Sequence, residues 1–186
     1  MKVLLTSCGL ETENITNKFI DMLGKNTSEA RAIFIPTAAV DADAVGVLPK
    51  CMNDLLKCGI KKENITVYDL HKPMTAEETK SYDIIYICGG NTEYLLERIN
   101  EIDFGTRIKE FIADNRSVIG VSAGSIIFAD NLKNNLGLLK RCLNVHCDDN
   151  QCDAACAVDL TAVSPIMLGN RQGLVFESES YAYIIE

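Results

Sequence analysis

The chain of 186 residues has few of the features that mark membrane, nucleic-acid-binding or secreted proteins. No apolar run approaches the roughly 18 residues that a transmembrane helix needs, so we expect no membrane segment. Basic residues are scattered in a chain of net charge −8, which argues against a nucleic-acid partner. The first residues hold one lysine before an apolar stretch, unlike a signal peptide. Eight cysteines are fewer than a disulfide scaffold has at this length, and we expect a cytoplasmic protein.

Histidine is also scarce, which limits the candidates for a catalytic base. The chain has two, His71 and His146. His71 lies in a turn pattern and is predicted at the surface, so His146 is the better candidate. A satisfied histidine at a strand end, or a metal ligand, is the alternative for His146.

Alternating apolar strands and amphipathic helices predict an α/β protein. Strands are expected over 2–7, 31–36, 65–70, 83–88 and 117–121, with helices over 16–23, 43–58, 93–100 and 104–114. This order is typical of a mainly parallel sheet covered by helices on both faces, a three-layer sandwich. After His146 the pattern changes to a strand over 166–168, a turn over 169–172 and a strand over 173–176, with a further strand over 181–185, which predicts a C-terminal antiparallel hairpin. A hydrophobic content of 47% fits a single globular domain over residues 1–186.

Residues 120–124 carry the pattern G-x-S-x-G between the fifth strand and a helix predicted over 123–129. This is the pattern of a nucleophile elbow, in which a sharp turn lifts a serine hydroxyl above the end of a sheet. The helix that follows would point its N–H groups at the place where negative charge develops. Ser122 is therefore a candidate nucleophile, and a purely structural turn is the alternative.

A second motif, Gly89-Gly90-Asn91-Thr92, follows the fourth strand. Paired glycines at a strand end let the backbone approach a ligand and expose N–H groups, an arrangement that can form an oxyanion hole. A glycine turn capped by Asn91 or Thr92 is the alternative. Both motifs end parallel strands, and ligands bind at the carboxyl ends of such strands. Two separate arguments thus predict one site.

With these two motifs at this spacing, the chain resembles the dipeptidase E family of serine peptidases. That family includes alpha-aspartyl dipeptidase and, more distantly, cyanophycinase, and its fold is similar to that of class I glutamine amidotransferases (flavodoxin-like). The resemblance runs from Met1 to about Cys147. It implies Ser122 as the nucleophile, His146 as the base, and the N–H groups of Gly90 and Ala123 as the oxyanion hole, with Gly89 and Asn91 beside it.

The chain departs from the family pattern in three places. The resemblance implies an aspartate between the serine and the histidine that orients the histidine, but this chain is shorter there. Asp130 is the only carboxylate in that interval and is the expected orienting acid, with Asp148 or Asp149 as alternatives. The segment 147–153 is acidic where aspartyl-specific members carry arginines, which argues against specificity for an N-terminal aspartate. The region beyond Cys147 is also short, so parts of the usual substrate pocket are expected to be missing.

The segment 142–156 is rich in cysteine. Free thiols, a redox-sensitive loop and a zinc site are the three interpretations; thiolate and imidazole suit zinc, but the spacings are wider than those of a C-x2-C knuckle. We expect no bound metal and no cofactor. The cysteines are Cys142, Cys147, Cys152 and Cys156.

The leading hypothesis is a serine-type peptidase or hydrolase acting on a small peptide or amide. One alternative is a non-catalytic protein on the same scaffold that senses redox state or metal through segment 142–156. Another is a hydrolase of a different small amide, such as glutamine, although glutamine amidotransferases use a cysteine nucleophile. Beyond the substrate, the sequence leaves open a homodimer formed through the final hairpin.

Overall fold

The computed structural model describes all of residues 1–186. Its large sheet has eight strands, and the topological order is β3-β2-β4-β5-β1-β9-β10-β7. The first five strands of that order run parallel, and β9 joins β1 in the antiparallel direction. The strands are β1 (Lys2–Thr6), β2 (Ala32–Ile35), β3 (Ile65–Val67), β4 (Ile84–Ile87), β5 (Ser117–Val121), β6 (Leu143–Cys147), β7 (Ala157–Val158), β8 (Ile166–Gly169), β9 (Gly173–Ser178) and β10 (Tyr181–Ile185).

The helices cover both faces of this sheet, because side chains alternate across each parallel strand. Val3 and Leu5 of β1 pack into one core cluster with the helices of one face, whereas Leu4 between them packs into the cluster of the other face. This confirms the predicted three layers. The helices are α1 (Glu13–Leu23), α2 (Ala42–Lys57), α3 (Ala76–Lys80), α4 (Thr92–Glu101), α5 (Phe104–Ala113) and α6 (Ala123–Ile126); α1 and α2 lie on one face, α4 and α5 on the other.

Side-chain caps explain where several helices begin. Thr12 accepts a hydrogen bond from the N–H of Ile15, so α1 begins one turn earlier than predicted. A capping box of Thr75 and Glu78 begins α3, with the Thr75 side chain accepting from the N–H of Glu78. The helix after Ser122 is shorter than the predicted 123–129: α6 ends at Ile126 and continues as turns.

The C-terminal hairpin is present, but its strands differ from the simplest interpretation of the sequence. β9 pairs antiparallel with β10, and β7 then pairs with β10 at the sheet edge. β8 does not pair with β9; it pairs parallel with β6 in a separate two-stranded sheet. The turn between β8 and β9 therefore carries the chain from the small sheet to the large one. Periodicity identifies strands, whereas pairing partners depend on distant parts of the chain.

Candidate active site at the carboxyl ends of the parallel strands

Ser122 lies in a strained turn between β5 and α6. Its backbone has φ 50° and ψ −111°, a conformation that non-glycine residues rarely adopt. The flanking glycines allow this turn because other backbone comes very close. A Cβ on Gly120 would lie 2.3 Å from the carbonyl oxygen of Gly124, and a Cβ on Gly124 would lie 2.3 Å from that of Ile87. The pattern G-x-S-x-G is thus required by contacts with the next turn and the neighbouring strand.

His146 faces this serine from the small sheet. Its Nε2 lies 2.9 Å from the Oγ of Ser122, within hydrogen-bond distance. His146 also has a positive φ, 58°, near the end of β6. Its backbone N–H donates to the Oγ of Ser7 at 2.8 Å, which ties it to the carboxyl end of β1. The structure therefore brings together the two residues that the sequence analysis selected.

The other ring nitrogen of His146 contacts an amide instead of a carboxylate. Nδ1 lies 2.8 Å from the Oδ1 of Asn170, in the turn between β8 and β9. Because Oδ1 is an acceptor only, this contact puts the proton on Nδ1 and leaves Nε2 free to accept from Ser122. No sequence pattern pointed to Asn170. The polar turn was visible, but nothing local connects it to a histidine 24 residues earlier.

Two further polar atoms lie near the same nitrogen. The Oγ of Ser7 is 3.4 Å from Nδ1, and the Sγ of Cys8 is 3.5 Å from it. The Cys8 thiol also donates to the Oδ1 of Asn170 at 3.2 Å. These contacts hold the imidazole and the amide side chain in a fixed relation.

The structure does not bring Asp130 to His146. The carboxylate of Asp130 is exposed and accepts a hydrogen bond from the side chain of Asn135 at 3.3 Å, and its backbone N–H donates to the carbonyl of Arg141. The short α6 and the turns after it direct this residue to the solvent side. The alternatives, Asp148 and Asp149, are exposed and make no hydrogen bond to His146 either.

The glycine pair after β4 lies beside the serine. Gly90 has φ 137°, and a Cβ there would lie 2.1 Å from the carbonyl oxygen of Ala38, so only glycine fits. The N–H of Gly90 donates to no backbone carbonyl, and that of Ala123 opens α6, where first-turn amides have no intrahelical acceptor. Both donors are available to a ligand.

Asn91 has a structural role in this loop. Its side chain caps α4 by accepting from the N–H of Tyr94 at 2.9 Å, and its backbone N–H donates to Ala38 at 2.7 Å. These bonds fix the conformation of the preceding glycines. The Oδ1 of Asn91 is therefore occupied by the N–H of Tyr94 and supports the loop, whereas the N–H groups of Gly90 and Ala123 are available to a ligand.

A cavity of about 420 Å³ opens in front of Ser122 and His146. Gly89 and Gly90 line one side of this cavity, and one face of α2 lines another. A larger cavity of about 590 Å³ lies elsewhere, between α1 and the turn that holds Arg171. It contains neither Ser122 nor His146 and is mainly polar, so the smaller cavity is the one next to the reactive groups.

A buried carboxyl group lies on the α2 side of the site. Asp54 accepts hydrogen bonds from the hydroxyl of Tyr86 at 2.7 Å and from the N–H of Leu10 at 3.1 Å. Burial raises the pKa of Asp54 above its ordinary value, although both hydrogen bonds lower it. The same burial, with the nearby carboxyl group, raises the pKa of Tyr86 well above its usual range.

The eight cysteines are free thiols. In segment 142–156, burial raises the pKa of Cys147 and of Cys152, so their thiols hold their protons more tightly than a free cysteine does. The Cys152 thiol donates to the carbonyl of Asp148 at 3.1 Å. No group of three or more His, Cys, Asp or Glu side chains is arranged to hold a metal ion. Because the thiolate is the form that binds metals and reacts with oxidants, Cys147 and Cys152 are poor candidates for the reactive groups of a sensing protein.

Comparison with known proteins identifies the family. The sequence model of peptidase family S51 matches residues 3–139. The chain belongs to peptidase family S51. An uncharacterised peptidase of Pasteurella multocida is 25% identical over 119 residues, covering 64% of this chain and 57% of the relative. Peptidase E of Shewanella baltica is 30% identical over 108 residues, covering 58% of this chain and 44% of the relative. This S51 chain thus spans about half the length of the curated relatives it matches.

Solved structures support the same fold for this S51 member. A putative peptidase E protein from Listeria monocytogenes superposes with a TM-score of 0.67 at 20% identity, over 100% of both chains. A peptidase from an acI-B1 actinobacterium superposes with a TM-score of 0.69 at 16% identity, over 98% of this chain and 86% of the other. At these identities the likeness establishes the fold. Separately, none of the helices is long and apolar enough to cross a membrane.

Proposed function

We propose that this chain is a serine-type hydrolase that cleaves a peptide or amide bond in a small substrate. The observation that carries the proposal is the 2.9 Å contact between the Oγ of Ser122 and the Nε2 of His146, with Asn170 on the opposite ring nitrogen. Membership of family S51 supports it, as do the relatives described above, which are named as peptidases.

In the proposed reaction, Ser122 attacks the carbonyl carbon while His146 accepts the hydroxyl proton through Nε2. The carbonyl oxygen becomes an oxyanion, which accepts hydrogen bonds from the N–H groups of Gly90 and Ala123. The tetrahedral intermediate collapses when His146 returns the proton to the leaving amine. Water, deprotonated by His146, then attacks the acyl carbon; the bond to the Oγ of Ser122 breaks, His146 returns the proton to that oxygen, and the acid is released.

Asn170 takes the orienting place that the sequence analysis gave to Asp130. Its Oδ1 accepts from Nδ1–H and so selects the tautomer that a general base needs. A neutral amide adds no negative charge next to the imidazolium that forms during attack. We therefore expect slower turnover than a carboxylate would give, with the same reaction path.

Labelling with a fluorophosphonate, measured by intact mass, tests the proposal. Wild type should gain one adduct, Ser122→Ala none, and His146→Ala far less, because an unactivated serine reacts slowly. Ser180→Ala, at an exposed serine, is the matched control and should label like wild type. Phenylmethylsulfonyl fluoride serves as a second, smaller probe. If folded wild-type protein reacts with neither reagent, the hydrolase proposal is wrong.

A further inference from the structure

One wall of the cavity in front of Ser122 is an apolar stripe on α2. Ala44, Val47, Leu48 and Cys51 all line the cavity, and their spacing puts them on one face of the helix. Val47 keeps 49% of its surface exposed although it faces a cavity next to reactive groups. An apolar side chain left in water at such a place is well suited to contact a bound ligand.

The back of the cavity is also apolar. The buried thiol of Cys88 follows β4 and contacts the same space, and desolvation keeps its pKa above the ordinary value. Val121, just before the serine, contributes a second apolar surface. A side chain that enters this space beside Ser122 therefore meets apolar groups and the protonated thiol of Cys88.

The charges at the cavity do not suit an acidic side chain. Lys50 is the only lysine or arginine that lines it, and Lys50 already forms an ion pair with Glu11. Burial is the main reason that the pKa of the nearby Cys8 thiol is raised; the Glu11 carboxylate adds to the rise and the Lys50 ammonium opposes it. The acidic segment 147–153 supplies no compensating cation.

One carboxylate at the rim has no partner. Asp43, in the first turn of α2, lines the same cavity and is exposed, and it belongs to none of the seven ion pairs of the protein. Its neighbour Asp41 is already occupied as the N-cap of α2. A free carboxylate beside an apolar pocket is a natural acceptor for an ammonium group.

We propose that the cavity selects substrates with an unblocked, apolar N-terminal residue. The apolar side chain lies against the α2 stripe, the α-ammonium group pairs with Asp43, and the carbonyl of that residue faces Ser122. This inference rests on the proposed hydrolase function and adds its substrate class. It predicts the opposite preference to an enzyme that binds N-terminal aspartate.

Aminoacyl p-nitroanilides with leucine, methionine, aspartate or N-acetyl-leucine test the inference. We expect kcat/KM for the leucine compound to exceed that for aspartate and for N-acetyl-leucine by at least about tenfold each, which corresponds to roughly 1.4 kcal/mol per comparison. An aspartate compound cleaved equally well or better overturns the inference, as does equal cleavage of N-acetyl-leucine.

Two valines on α2 offer a matched pair of variants. Val45 and Val47 are each 49% exposed, but only Val47 lines the cavity. Val47→Arg should lower kcat/KM for the leucine compound at least tenfold and reduce the ratio of this value to kcat/KM for the aspartate compound. Val45→Arg should keep kcat/KM for the leucine compound within about twofold of wild type.

Asp43→Asn should raise KM for the leucine compound and leave KM for the N-acetyl-leucine compound unchanged. Equal effects of the two arginine substitutions, or no effect of Asp43→Asn, overturn the inference.

Fluorophosphonate labelling separates the two levels of the argument. If Ser122 is labelled but no apolar aminoacyl compound is cleaved, the inference on substrate class is overturned and the hydrolase proposal stands. If Ser122 is not labelled, the hydrolase proposal fails and the substrate class fails with it. Labelling of Val45→Arg at the wild-type rate shows that an arginine on the exposed surface of α2 does not by itself change the reactivity of Ser122.

Discussion

The Oγ of Ser122 and the Nε2 of His146 lie 2.9 Å apart, and both residues hold a backbone φ in the left-handed region, at 50° and 58°. Non-glycine residues adopt such conformations at a cost of roughly 1–3 kcal/mol each, which the surrounding structure must offset. The contact joins the large sheet, through β5, to the small sheet, through β6. Strain at both partners and their convergence from two sheets are typical of a preorganised site.

Asn170 gives a prediction about the orientation of His146. Asn170→Ala should lower kcat by about 10² to 10⁴-fold, because the imidazole loses the acceptor that fixes its tautomer. Asn170→Asp should keep or increase kcat. The new carboxylate would accept from Nδ1–H as the amide does and would add a negative charge beside the imidazolium that forms during attack. Steady-state kinetics on both variants measure these effects; wild-type kcat in folded Asn170→Ala would contradict this role.

The glycines of the elbow give a prediction about stability. Gly124→Ala would place a methyl group 2.3 Å from the carbonyl of Ile87, so the strand or the turn must shift. We expect a loss of about 1–3 kcal/mol in the free energy of unfolding and loss of probe labelling. Gly46→Ala on α2 is the control, because a Cβ there meets nothing within 4 Å. That variant should gain about 0.5–1 kcal/mol, as alanine favours a helix more than glycine does. Urea denaturation measures the free energy of unfolding of both variants, and equal values would contradict the close contact at Gly124.

Asp54 gives a prediction about pH. Its folded-state pKa is raised by burial above the ordinary value, so between the two values the native state binds more protons than the unfolded state. The free energy of unfolding should therefore fall as pH rises from the ordinary value near 3.8 through the raised one, and the penalty should persist above it. The side chain introduced by Asp54→Asn cannot ionise, so the free energy of unfolding of this variant should lack this pH-dependent fall. Urea denaturation at several pH values from 4 to 8 measures the difference; parallel curves for the two proteins would rule it out.

Segment 142–156 gives a prediction that separates the hydrolase from a sensing protein. A variant with serine at Cys142, Cys147, Cys152 and Cys156 should keep fluorophosphonate labelling within about twofold of wild type. Incubation with EDTA should have no effect, since no proposed step uses a metal. Loss of labelling in folded variant protein, or after chelation, would favour the sensing hypothesis over the proposed function.

The extent to which sequence predicted this site differs from one residue to the next. Ser122 and the flanking glycines form a local pattern, because the contacts that require Gly120 and Gly124 arise within one turn and the adjacent strand. His146 could be selected because the chain offers so few histidines. Asp130 was expected to orient His146 because it is the only carboxylate between Ser122 and His146 in the sequence, and the structure places it against Asn135 instead. Closeness along the chain is a poor guide to a partner that must come from another element.

The sequence by itself determined the layered α/β fold, since alternating apolar strands and amphipathic helices bury their side chains only in a sheet covered on both faces. It also determined the elbow at Ser122 and the close approach at Gly90. Only the tertiary structure decided the pairing of β8 with β6 instead of β9, and this pairing accompanies the placement of Asn170 beside His146. Strand partners and side-chain contacts between distant segments depend on the packing of the whole chain, which no local pattern records.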